Sequence, residues 1–551
     1  MTRVAAPTLA ACMLLTFVAP ARADEPPPPP APTDVKPDVK PEPTPAPKAP
    51  DPAPAPVTAP NAGPIQLATL AQLRDRGVLT QAQYEEAVRE ISGSTGANAD
   101  GANSLAVGRW TTTIYGFLEA DHIFDSTQSF TDQAGNNQVE RPAGFPPPPP
   151  LPQTTYRGEN PRLQFGVRNS RFGLQIRTPE LHRVRASGTL EMDFLGFEPA
   201  PTYDNRTGTT EQGFFTNPAL RARHAYFKLD TPVLDVLIGQ YWHPLMQPLY
   251  APNSVQIQGL PGQIYARTPQ IRFSKTVDTG AVTFQIDAAA LRPPQRDAAT
   301  PELAGSLRFA VDKWTGMHTN GATGTSLLPA SISIAGDMRD FRVPNFEQIP
   351  TSTVHLTTAA FSAHAFIPVI PATKERKGNA LSLTGQFAWG QASADLYTAM
   401  NSGMAFPSLP NKTGINPAPV YPQNVDNGLV VFDIQNQDLH PIQWTSYVLG
   451  LEYYLPGLDG RVWISGNYSH IQSSNIDAYA RPGITPPNPN DYAYVSAAQV
   501  RQFEDFFDAN VFVDPLPSVR FGAEYAYFDD RYVDGTHAIN HRVQVSGFFM
   551  F

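Results

Sequence analysis

Seven arginines, Arg168, Arg171, Arg177, Arg185, Arg221, Arg223 and Arg272, fall on or beside the polar phase of alternating segments. Glu191 and Asp193 stand two residues apart among them. A guanidinium fork matches carboxylate or phosphate oxygens two at a time. From Arg157 to Lys275 there are 14 Lys/Arg against 9 Asp/Glu, an excess of five positive charges in a chain whose net charge is −10. That local excess predicts an anion-preferring surface. The competing reading is that the arginines only pair with Glu191 and Asp193 and keep a water-filled wall polar.

The same two carboxylates could do acid–base work, but nothing completes a catalytic set. The sequence has no GxSxG, no HExxH and no Gly-rich phosphate loop, and its 11 histidines lack ligand spacing. Ser469 and His470 are adjacent, and on a strand they would point to opposite faces. We therefore expect no enzyme, no cofactor and no metal. The acidic balance also argues against nucleic acid as a partner.

The elements that position these residues follow from hydrophobic periodicity. From Arg109 the pattern has period two. In LQFGV, Leu163, Phe165 and Val167 take one face, and Arg162, Gln164 and Arg168 the other. RFGLQIR sets Phe172, Leu174 and Ile176 against Arg171, Gln175 and Arg177, and Leu190, Met192 and Phe194 oppose Glu191 and Asp193. LSLTGQF, VLGLEYYL, VWISGNY and VRFGAEYAY continue the theme. Apolar-out, polar-in strands of this length suit an all-β fold, a transmembrane antiparallel β-barrel of about 16 strands, roughly 14–18. Mean hydropathy of −0.28 agrees, because only alternate residues face lipid.

Loop lengths should then alternate. Asp529–Asn540 is expected outside, Asp514–Ser518 as a short periplasmic turn, residues 473–502 as a long external loop, and Pro456–Gly460 as another short turn. VQVSGFFMF (543–551) reads as the closing strand, with Phe551 as the signal read by the barrel assembly machinery. The proline-punctuated stretch from Trp242 to Arg267, with His243 and Tyr250, is expected to fold inward as a constriction loop. It would bury Leu245, Met246, Leu249 and Ile257 opposite Arg221, Arg223 and Arg272. An external lid or oligomer latch is the alternative.

Upstream, residues 1–23 read as a signal peptide: Arg3, an apolar Val4–Val18, then Ala21-Arg22-Ala23. The one cysteine, Cys12, lies inside it, in a Leu9–Cys12 stretch that imitates a lipoprotein box. Residues 24–64 carry 17 prolines, a periplasmic spacer roughly 130 Å long if extended, long enough to reach peptidoglycan. Residues 65–92 read as a helical hairpin, with Leu67, Leu70 and Leu73 on one stripe, Gly77 as a stop and Thr80–Gln83 as a capping box. The hairpin resembles the SHOCT motif, which implies oligomerisation; the alternative is a solvated hairpin closing on its own stripe. Residues 93–108 read as a linker before a barrel at 109–551.

NSRFGL (169–174), TLEMDFLG (189–196), LRARHAY (220–226), GQYW (239–242) and RTPQIRFS (267–274) occur in one order and spacing. Together they resemble the DcaP-like outer-membrane channels. The resemblance implies a sixteen-stranded homotrimeric porin, set in outer-membrane lipid, that passes small anions such as dicarboxylates. Two features depart from the family. The N-terminal extension is proline-rich rather than coiled coil, and His243-Pro244 follows Trp242 where Ser or Thr is usual. A tether to the cell wall, with the barrel as a plug, and a barrel enzyme are the other function classes weighed.

Overall fold

The computed structural model describes residues 103–107, 110–127, 160–196, 218–247, 252–319, 322, 324–347, 349–397, 407, 409, 424–434, 436–481, 495–497 and 500–551. The expected signal peptide, proline segment and helical hairpin lie outside them, as do Leu249 and Tyr250. No helix among the described residues is long and apolar enough to cross a membrane.

Sixteen antiparallel strands form one closed sheet. They are β1 (Trp110–Asp125), β2 (in two segments, Arg162–Gly166 and Arg171–Arg177), β3 (Arg185–Gly196), β4 (Ala219–Asp230), β5 (Asp235–Trp242) and β6 (Arg267–Asp278). Then come β7 (Val282–Leu291), β8 (Glu302–Thr319), β9 (Thr325–Pro344), β10 (Thr353–Ile370) and β11 (Ala380–Gln391). The last five are β12 (Gln443–Tyr454), β13 (Val462–Ser473), β14 (Arg501–Leu516), β15 (Val519–Tyr532) and β16 (His537–Met550). Closure comes from β16 pairing with β1, Met550 opposite Phe117 and Arg542 opposite Asp125. Closing the sheet satisfies every edge, which a hydrocarbon surround requires.

The period-two pattern maps onto this wall as expected. Leu163, Phe165, Leu190, Val543, Val545 and Phe549 are exposed outward, while Gln164, Glu191, Asp193, Arg542, Gln544 and Ser546 are buried inward. Short turns such as 231–234, 279–281, 455–461 and 517–518 lie at one end, and the strand ends Trp242, Gln391 and Ser473, from which the long connections leave, lie at the other.

Two expectations are corrected. The connection expected at 529–540 is shorter: β15 runs to Tyr532, β16 starts at His537, and only 533–536 turn, at the end where the long connections lie. The strands lengthen there because Asp529 pairs with Arg531 at 3.3 Å and His537 at 2.9 Å, and Asp530 with Arg501 at 2.8 Å. The stretch 93–108 is not wholly linker either. Asn103–Val107 is a strand paired with Trp110–Ile114. It occupies the edge of β1 that β16 leaves below Phe117, so it continues the column in which the carboxyl terminus ends.

The lumen contains more apolar surface than a purely polar interior would. Phe117, Tyr454, Trp463, Phe512 and Phe548 point inward at the short-turn end and pack with Val255. Trp463 stacks on Phe512 at 5.1 Å and 11°. At the other end, Leu245, Met246, Leu429, Val430, Phe432, Trp444 and Ile476 form one buried cluster. An inward loop needs an apolar seat, and these side chains provide it.

Candidate functional site

The connection 243–266 leaves β5 and crosses the lumen. At its root the Leu245 carbonyl accepts from Ser362 Oγ (2.6 Å) and His364 Nε2 (2.7 Å) of β10. Further on, the Asn253 carbonyl accepts from Ser465 Oγ (2.6 Å) and Asn467 Nδ2 (2.9 Å) of β13. Ser254 Oγ and the Gln256 amide donate to Glu524 of β15 at 2.7 and 2.9 Å. Gln258 Nε2 donates to Asn169 Oδ1 at 2.8 Å, before β2 resumes. Leu245, Met246, Val255, Leu260 and Ile264 are all buried, and Ile257 is partly so.

Beneath this loop the β2–β6 wall gathers Arg171, Arg221, Arg223 and Arg267 around Glu191 and Asp193. Arg223 is the extra residue of a β-bulge: Glu191 pairs with His224, and Met192 with Ala222. A bulge re-aims a side chain, and this one sets Arg223 between both acids. Arg223 Nε reaches Glu191 Oε1 at 2.9 Å, and Nη1 reaches Asp193 Oδ2 at 2.9 Å. Arg221 forks onto Asp193 at 2.9 and 2.6 Å, and Arg171 Nε stands 3.6 Å from Glu191. The Arg267 guanidinium lies over the rings of Trp242 (4.9 Å) and Tyr265 (5.6 Å), an arrangement favourable to a cation. Four guanidiniums thus face two carboxylates.

The accessibilities divide these roles. The Arg223 side chain is fully buried, whereas that of Arg221 keeps 33% of its surface. Arg223 Nη2 also donates to Tyr265 Oη at 3.2 Å, and Tyr265 donates to the Ile257 carbonyl at 3.2 Å. Burial alone would raise the Tyr265 phenol. Arg223, then Arg171 and Arg267, outweigh burial and bring it down to about 8.

The other sequence candidates lie elsewhere. Arg168 is buried, with Nε 3.4 Å from the Phe194 carbonyl. Arg272 is buried beneath the loop root, bonded to Gln270 at 2.9 Å and to the Trp242 carbonyl. Arg177 and Arg185 sit exposed at the short-turn end, away from the cluster, and Arg185 pairs with Glu180 at 3.4 Å. Alternation correctly gives them the polar phase but cannot give their height along the barrel. Phe551 donates to the Gly116 carbonyl at 3.1 Å and accepts from the Gly116 amide at 3.0 Å, extending the seam by one residue. His470 faces away from Ser469 and pairs with Asp505 at 2.8 Å. Tyr265, Arg267, Gln258 and Asn169 were not singled out by the sequence reading; the Tyr-x-Arg spacing of 265–267 is the one local signal for two of them.

His243, Glu302 and Asp337 bring a ring nitrogen and two carboxylates together, a set that could hold a metal. Their bonding opposes that use. The Leu245 amide donates to His243 Nδ1 at 3.2 Å, so the neutral ring carries its proton on Nε2, which donates to Glu302 at 2.6 Å. The Arg339 guanidinium stands 3.2 Å from Glu302 and 3.4 Å from Asp337, supplying the positive charge itself. The group works as a pin for the loop root.

No family model matches the chain, and no curated protein matches it. Among solved structures it is similar to the outer membrane channel DcaP of Acinetobacter baumannii, at 14% identity and a TM-score of 0.49, covering 81% of this chain and 100% of that one. It is also similar to the anion-selective porin from Comamonas acidovorans, at 10% identity and 0.43, covering 80% and 100%. For OmpF of Salmonella typhi the values are 8% and 0.40, covering 82% and 100%. Every one of these scores is below 0.5, so the assignment of the fold as a closed sixteen-stranded barrel rests on the chain's own strand register.

Proposed function

We propose that the chain is an outer-membrane porin that lets small hydrophilic solutes diffuse and favours anions such as carboxylates. The observation that carries this reading is the excess of two guanidiniums over carboxylates beside a loop that narrows the lumen. In a constricted, partly desolvated passage each charge acts less screened than in bulk water. Arg221, one-third exposed, is the group that meets solutes; Arg223 holds Glu191 and Asp193 in place. The short-turn end faces the periplasm, the N-terminal extension hangs there, and three copies assemble in the membrane. Replacing Arg221 with Gln tests the reading: the zero-current potential in a salt gradient should move toward cations. Unchanged selectivity at normal conductance would refute the role of Arg221.

A second reading, a closed barrel that tethers the envelope through residues 24–64, draws on the buried apolar packing of Leu396, Leu429, Val430 and Phe432 with Ile476 and Val500. Purified protein that inserts into bilayers without conducting would favour it.

A further inference from the structure

One inward row of the wall passes from wet to dry. Thr276, Gln285, Arg308, Ser333, His364 and Gln386 oppose one another in turn across β6–β11. Thr276 is exposed and Gln285 and Arg308 are half-buried, whereas Ser333, His364 and Gln386 are buried. The inserted loop makes that step. Carbonyls of Gln247, Leu245 and Gly262 accept from Ser333 Oγ (2.9 Å), His364 Nε2 (2.7 Å) and Gln386 Nε2 (3.3 Å).

Nearer the short-turn end a second segment covers the same side, and it comes from the wall itself. Val311 of β8 pairs with Ala330 of β9, and Thr315 with Pro329, so Asp312, Lys313 and Trp314 have no counterpart. Such a bulge bends the strand that carries it. Beyond it 315–319, paired with 325–329, turns into the lumen. Gly316 passes where a Cβ would stand 2.7 Å from Ser382 Oγ and 2.8 Å from Pro368 Cβ.

Inside, the hairpin is held on inward side chains of β11 and β12. Ser382 Oγ donates to the Met317 carbonyl at 2.7 Å. Glu452 accepts from the Thr319 amide at 3.0 Å and pairs with His318 Nδ1 at 2.7 Å. Thr319 Oγ1 meets Tyr454 Oη at 2.7 Å, and the Thr319 carbonyl accepts from Asn253 of the loop tip at 2.8 Å. Met317 and Ala322 join the apolar cluster of Tyr454 and Trp463. Buried bonds of this kind are costly to leave unmade, so the hairpin is fixed in place. Loop and hairpin form one continuous filling.

We propose that the β8–β9 hairpin is a second constriction in series with the arginine cluster. It confines solutes to the side lined by Thr276, Gln285 and Arg308, and sets the size of what passes the short-turn end. The proposal rests on the diffusion reading above, and its test separates the two.

The test is deletion of 317–327, which leaves Gly316 and Leu328 as a two-residue turn between the paired Thr315 and Pro329. Folding is verified by heat-modifiable migration. In planar bilayers the deletion should conduct at least twofold more than wild type and admit larger polyethylene glycols, with a zero-current potential of unchanged sign. A second readout needs neither conductance nor the deletion. In a Cys12→Ser background, Thr276→Cys should react with a small charged thiol reagent at least tenfold faster than Ser382→Cys. Equal conductance and equal solute cut-off in the folded deletion, or equal reactivity of the two thiols, overturns the proposal. A silent wild type beside a conducting deletion would overturn the diffusion reading and support the hairpin as the obstruction.

Discussion

Arg223 Nη2 donates to Tyr265 Oη across 3.2 Å, joining the bulge of β4 to the last turn of the inserted loop. The contact makes the charge of the cluster depend on pH. The phenol has a folded value of about 8, below its ordinary 10. Its ionisation therefore adds stability that is complete above 10 and lost as pH falls through about 8. Below pH 8 the cluster keeps its full positive excess; above it a phenolate removes one unit. Zero-current potentials measured at pH 7 and pH 9 should show anion preference falling with pH, and Tyr265→Phe should abolish the change. A wild type with equal selectivity at both values would disprove the coupling.

Arg221 and Arg223 should separate into different phenotypes. Truncating Arg223 to Ala leaves Glu191 and Asp193 short of a buried partner, which costs about 3–5 kcal/mol. Thermal unfolding of the Arg223→Ala barrel should shift down sharply, while Arg221→Gln should unfold close to wild type. Equal, small shifts in both would show that Arg223 is not the organiser of the cluster.

Phe551 forms two backbone hydrogen bonds with Gly116, at 3.0 and 3.1 Å, beyond the last residue of β16. Removing Phe551 deletes both at the seam, where the first and last strands must meet. Pulse-chase assembly into the heat-modifiable form should slow, and unassembled chain should accumulate. Wild-type kinetics in the deletion would remove Phe551 from the closing step.

The short strand Asn103–Val107 divides two truncations that would otherwise look equivalent. Deleting residues 24–102 should leave a stable inserted barrel. Extending the deletion to residue 108 strips the partner of Trp110–Ile114 and exposes that edge of β1. The longer deletion should migrate as a barrel that unfolds at lower temperature. Identical melting of the two would show that the strand adds nothing to the seam.

Much of the wall is readable from alternation alone. Leu163, Phe165, Val543 and Phe549 point out and Gln164, Asp193, Arg542 and Gln544 point in, because a strand has two faces and only one meets lipid. The apolar content of 243–266 likewise signals an inward path, since Leu245 and Met246 need a seat. What alternation does not give is height or bulges. Arg177 and Arg185 share the polar phase with Arg171 but end at the rim, and Arg223 enters the cluster through an extra residue. Phe548, inside VQVSGFFMF, points into the lumen 6.5 Å from Phe117. A greasy residue on the wet face is explained only by the loop tip that packs near it.

A positive cluster beside an inserted loop is expected to select anions, and one quantity reports it directly. That quantity is the zero-current potential of purified full-length protein in a planar bilayer separating concentrated from dilute KCl at pH 7. Stable conductance is expected, with a potential whose sign marks chloride as the more permeant ion. A potential of the opposite sign, or insertion without conductance, would contradict it.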